Sequence, residues 1–151
     1  MRLAHIPLRV ATGAYILNSG LSKQGLEGQA AEGVHAMAAG ALPPVKKIPA
    51  NRFAQLLSGA EIALGGALLA PFVSSRVAGA ALTGFSTGLV QLYLKTPGMR
   101  QDGSLKPTQD GIALAKDVWL LGAGLTLLLD RDRSPKATSS DGPAVTITSQ
   151  E

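Results

Sequence analysis

Three observations predict an all-α fold: a four-helix transmembrane bundle with an interfacial amphipathic helix between its first two long helices. First, the chain is 46% hydrophobic and 16% charged with a mean hydropathy of +0.21, and the excess is aliphatic and small, since aromatics make up only 4%. Gly and Ala are abundant, as expected where helices approach backbone to backbone in lipid. Second, four apolar stretches of helix length alternate with breakers and charged loops. Third, no sustained two-residue alternation appears that would build a transmembrane barrel.

The first helix is expected at 4–22, with Pro7 tolerated in its first turns and Asn18 and Ser19 near its far end. Its start, Met1-Arg2-Leu3-Ala4-His5, has the charge of a signal peptide. Arg9 interrupts the apolar run, however, and no small-x-small cleavage site follows, so no cleavable signal is expected. Residues 23–49 carry Lys23, Glu27, Glu32, His35, Lys46 and Lys47 and close on Pro43, Pro44 and Pro49, which places them outside the hydrocarbon. Within them Leu26, Ala30, Val34, Met37 and Ala41 recur at helical spacing and predict a short amphipathic helix lying on the membrane surface.

The second helix is expected at 51–73, ended by Pro71, and Ser74-Ser75 supplies a turn and cap for the third at 75–94. Residues 77–94 contain no charge, and Lys95-Thr96-Pro97-Gly98 stops them. A polar loop with an Asp102-Gly103 turn leads to Thr108, which caps a fourth helix at 109–129. Residues 1–130 form one domain, and 131–151 are a polar segment of the disordered type. Four helices put both termini on one face. Raw counts of basic residues slightly favour the two long loops as the cytoplasmic side. A soluble Ala-rich bundle is the competing reading, because only the third helix has a long charge-free run.

The chemistry is expected where charge enters these helices. Glu61 sits midway along about twenty uncharged residues, and an ionisable group at a bilayer centre costs about 2.5 to 3.5 kcal/mol unless it is answered. Arg9, Glu61, Lys116 and Asp117 fall within about 10 Å of one another along the membrane normal at 1.5 Å per residue. They form the candidate intramembrane polar cluster, with Arg9 extending to pair with Glu61. The cluster reads either as a neutral lock on helix register or as a proton or ligand site. Close helix packing is expected along Gly59, Ala63, Gly65 and Gly66 with Ala67, and along Ala80, Gly84 and Gly88. Thr83, Ser86, Thr87 and Gln91 read as interhelical hydrogen-bonding groups.

Several classes are excluded or disfavoured. The chain has no Cys, so disulfides, thiolate metal sites and thiol nucleophiles are absent. His5 and His35 stand apart from other ligand types, and no metal or haem site is expected. Gly65-Gly66 lacks the preceding strand of a phosphate loop. The net charge of +4 comes from scattered bases without interleaved aromatics, so nucleic acid is not expected as a partner.

In the order of these features the chain resembles the DoxX family of small four-helix bacterial integral membrane proteins. The resemblance rests on Asn18-Ser19-Gly20-Leu21-Ser22-Lys23 closing the first helix, Gly59-Ala60-Glu61 followed by Gly65-Gly66-Ala67-Leu68-Leu69, and Arg76 opening the third. Arg9, Lys23, Glu61, Gly65, Gly66 and Arg76 are the matching positions. Pro71-Phe72 stands where a glycine-containing turn is usual, and the segment between helices one and two is longer. The resemblance implies a multi-pass protein of the cytoplasmic membrane with cytoplasmic termini, the reverse of the orientation the basic residues favour. It also implies an accessory or scaffold subunit, not catalytic by itself, associated with a redox or oxidative-stress complex. The expected partners are the lipid bilayer, a redox protein and, compatibly, further copies of the chain. The alternative it allows is a quinone-linked oxidoreductase component or carrier that uses Glu61 and Arg9, with quinone as the compatible cofactor and no other cofactor evident.

Overall fold

A computed structural model describes residues 3–130, which are helical with no strand among the described residues. The polar segment expected to be disordered, 131–151, lies outside the described residues. Helix α1 (Ile6–Ser22) begins with Pro7 in its first turn, where no intrahelical N–H is needed. It closes on Lys23, whose N–H returns to Gly20 and Leu21. Gly25 and Gly28 then adopt left-handed φ values of 72° and 56°, turning the chain into α2 (Gly28–Ala41). Pro43 and Pro44 start a tight 3-10 turn, and α3 (Ala50–Leu69) follows Pro49.

The expected second helix ends four residues early, at Leu69, because Pro71 cannot donate and residues 70–73 turn the chain. The Ser74 side chain accepts from the Val77 N–H and caps α4 (Ser75–Lys95). In the loop that follows, Thr108 Oγ1 accepts from the Gly111 N–H. The expected continuous helix at 109–129 is two pieces, α5 (Ile112–Ala115) and α6 (Val118–Leu129). At the break the Asp117, Trp119 and Leu120 N–H groups bond three residues back, to Leu114, Lys116 and Asp117, so the helix tightens at Lys116-Asp117.

Helix α1 packs chiefly on α3, and α4 on α6. Ile16, Leu64, Leu68, Ala78, Leu82, Leu120, Ala123 and Leu127 form the core that joins the two pairs. A second cluster of Ala38, Ala39 and Val45, with Leu42 and Phe53 against it, seats α2 on α3. The amphipathic helix expected on the membrane surface therefore lies against the bundle, on α3 and α4, with Ala31, Ala38, Ala39 and Ala41 buried.

The close crossings differ from the expected small-residue stripe. A Cβ on Gly65 would meet the Leu17 backbone N at 2.6 Å, and one on Gly20 would meet the Ile62 N at 2.8 Å. On the other pair, Gly79 lies against the Leu128 N and Gly124 against the Thr83 N, at 2.6 and 2.7 Å by the same measure. A Cβ on Gly59, Gly66, Gly84 or Gly88 would meet nothing within 4 Å, and Ala63 and Ala80 are exposed. Four-residue spacing identified a face of α3 and of α4. It was not the face of closest approach; Gly65, expected in the packing but off that spacing, is where α3 meets α1.

Among the described residues two helices are long and apolar enough to cross a membrane, Ser75–Lys95 and Ile112–Leu129, the second counted through the break. Only 28% of the apolar window of each is buried inside the fold. Large apolar side chains elsewhere also face outward, including Val10, Leu21, Leu56 and Phe72.

Candidate functional site

Arg9 is 1% exposed, yet it does not meet Glu61. Its Nε donates to the Leu68 carbonyl at 2.7 Å, and its Nη2 to the Ala67 and Ala70 carbonyls at 2.9 Å. Its Nη1 donates to the Val73 carbonyl at 2.9 Å and reaches Ser75 Oγ at 3.4 Å. These are acceptors that the end of α3 and the turn after it leave without intrahelical partners, at the negative pole of the helix. Beside them His5 bridges Ser75 Oγ (3.0 Å from Nδ1) and Asp130 Oδ2 (2.7 Å from Nε2), tying the start of α1 to the start of α4 and the end of α6.

The register of the antiparallel α1–α3 pair explains why Arg9 and Glu61 miss each other. Gly13 faces Leu68 and Leu69, Leu17 faces Gly65, and Gly20 faces Glu61 and Ile62. Arg9 is thus level with the end of α3, and Glu61 with the end of α1. The cation that answers Glu61 is Lys23, one turn beyond Gly20.

Glu61 is 5% exposed, and its Oε2 accepts from Lys23 Nζ at 2.8 Å. The same ammonium donates to the Ser19 carbonyl at 3.1 Å and to Ser19 Oγ at 2.6 Å. An ammonium has three N–H donors, so all are committed. One turn along α3, Ser58 Oγ donates to the Gly20 carbonyl at 2.8 Å and fixes the crossing.

Asp117, at the break between α5 and α6, is 8% exposed, and its Oδ1 is buried with no hydrogen-bond partner among the described residues. Its backbone is helical, and the Trp119 and Leu120 N–H groups are taken by the Lys116 and Asp117 carbonyls, so the side chain makes no cap. Lys116, expected in the same cluster, is exposed.

These groups meet at a cavity of about 690 Å³ between α1, α2, α3, α4 and the α5–α6 segment. Lys23, Glu61 and Asp117 are the charged side chains of its wall, with Ser19, Tyr15 and Gln29 as further polar groups. The rest is mostly apolar, including Ile16, Met37, Leu57, Phe85 and Leu89. Gly84 and Gly88, expected at a helix contact, instead line this space. Tyr15 also stacks edge-on with Trp119, centroids 5.7 Å apart. A second cleft of about 490 Å³, in the loop around 94–105, contains none of the buried ionisable groups. Among the described residues no three His, Cys, Asp or Glu side chains group as metal ligands would.

Of the expected cluster, the structure brings Glu61 and Asp117 to one cavity, sends Arg9 to a helix end and leaves Lys116 at the surface. The sequence reading missed Ser19, Tyr15 and the α2 wall, and placed Lys23 only at a helix end. The four-residue Ser19–Lys23 spacing beside Gly20 was the available signal. Compared with protein-family models, with curated proteins and with solved structures, the chain finds no match.

Proposed function

We propose that this chain is a multi-pass membrane protein whose interhelical cavity binds a lipid-soluble small molecule. One observation carries the binding reading: a cavity of about 690 Å³, largely apolar, with a buried polar edge formed by the Lys23–Glu61 pair and Asp117. Small-molecule sites typically have about 300 to 1,000 Å³ with few convergent polar groups, and this cavity has both properties.

The membrane reading is supported by the outward apolar faces of Ser75–Lys95 and Ile112–Leu129, since the core helix of a soluble protein would be mostly buried. In this reading α1 and α3 complete a four-helix transmembrane bundle. Their 17 and 20 residues give lengths of about 25 and 30 Å, close to the hydrocarbon thickness. Arg9 and Glu61 are the charges that would forbid it, and both are satisfied inside the fold. The termini then share one face, which the resemblance to the DoxX family makes the cytoplasmic one.

Purification of the full chain from native membranes in mild detergent, with mass spectrometry of bound small molecules, lipids and proteins, tests this. The expected result is an enriched lipid-soluble compound near one per chain that is lost in Gly88→Trp. Such a substitution fills the cavity where a Cβ meets nothing within 4 Å. A quinone in that fraction would support the quinone-handling role that the resemblance allows. Recovery of a stoichiometric redox protein with no bound compound would overturn the binding reading in favour of an accessory subunit.

A further inference from the structure

We infer that the molecule held in this cavity is a lipophilic amine, with its protonated nitrogen against Asp117; the inference rests on the cavity being a ligand site. The first ground is charge. The wall has two carboxylates, Glu61 and Asp117, and one ammonium, Lys23. Lys23 spends its three N–H groups on Glu61, Ser19 Oγ and the Ser19 carbonyl, so it has none left for Asp117. Lys116 is next in sequence to Asp117 but exposed, and it does not line the cavity. One carboxylate is left unanswered in an apolar space.

The second ground is the orphaned acceptor itself. Asp117 Oδ1 is buried without a partner among the described residues, and the Trp119 and Leu120 N–H groups at that helix start are already bonded to backbone carbonyls. A buried carboxylate oxygen left so is costly, and a charge-assisted N⁺–H donor from a ligand removes the cost. Tyr15, Phe53 and Phe85 supply aromatic bodies on the same wall, and a hydrophobic ring system with an amine fits them.

The competing chemistries fit less well. An oxidised quinone offers only acceptors, so it answers Asp117 only when the carboxyl carries a proton to donate. A fatty acid or other anion would bring a third negative group to a wall that has one cation.

Two probes with one body separate these: naphthylethylamine and its uncharged counterpart ethylnaphthalene, titrated at neutral pH into the detergent-solubilised full chain. Wild type is expected to bind the amine about tenfold or more tightly than the hydrocarbon, and Asp117→Asn to bring that ratio close to one. Equal binding of the two probes by wild type, or an unchanged ratio in Asp117→Asn, would overturn the amine assignment while hydrocarbon binding upheld the cavity as a site. Failure of wild type to bind either probe would instead overturn the cavity reading. Gly88→Trp is expected to abolish both, and retention of both would place binding elsewhere and overturn both readings.

Discussion

The two ends of α1 answer buried charge in opposite ways. At one end Arg9 directs three nitrogens at four backbone carbonyls and a serine hydroxyl, all from the end of α3, the turn after it and the start of α4. At the other, Lys23 satisfies Glu61, while Asp117 in the wall of the same cavity has an oxygen with no partner among the described residues. The first arrangement is complete. The second has space and an unused acceptor. In the membrane setting proposed above, where apolar burial drives helices together weakly, polar contacts and backbone fit would hold the bundle. A polar group that contributes to neither is retained at a cost to stability.

The largest expected effect is at the complete site. Arg9→Met leaves several buried carbonyls without donors and should destabilise the detergent-solubilised chain by about 3 to 4 kcal/mol in chemical unfolding. A loss under about 1 kcal/mol would erase the contrast, because Arg9 would then be no more structural than Asp117. Next is Lys23→Ala, which strands Glu61; after allowance for the partial exposure of Lys23, about 2 to 3 kcal/mol is expected. The double variant Lys23→Met with Glu61→Met should recover most of that loss, since an apolar pair replaces an ion pair.

Gly65 and Gly66 carry the comparison to the backbone. A methyl at position 65 meets Leu17 main-chain atoms, so Gly65→Ala should cost about 2 kcal/mol. Gly66→Ala meets nothing and should stabilise the helix by about 0.5 to 1 kcal/mol. Thermal unfolding of the two variants side by side checks the sign difference.

The helices and the presence of buried charge were legible in the sequence, because breakers such as Pro49 and Pro71 and isolated residues such as Arg9 and Glu61 are visible against an apolar background. Partnership was not. Whether Arg9 reaches Glu61 depends on how far α3 slides along α1, which is set by Gly13, Gly20 and Gly65 meeting the opposite helix. Those contacts cross some 40 to 55 positions of chain and leave no local period. The cavity was equally hidden. Spacing showed that Gly84 and Gly88 share a face of α4 with no means of telling a helix contact from an open space that α2 closes over.

The most direct measurement is the unfolding free energy of Asp117→Asn against wild type, in the same detergent and free of added ligand. Because Oδ1 has no partner to lose, the variant should be as stable as wild type or more stable by up to about 1 kcal/mol. A loss of about 2 kcal/mol or more would contradict the account, since it would show that Asp117 supports the fold as Arg9 does.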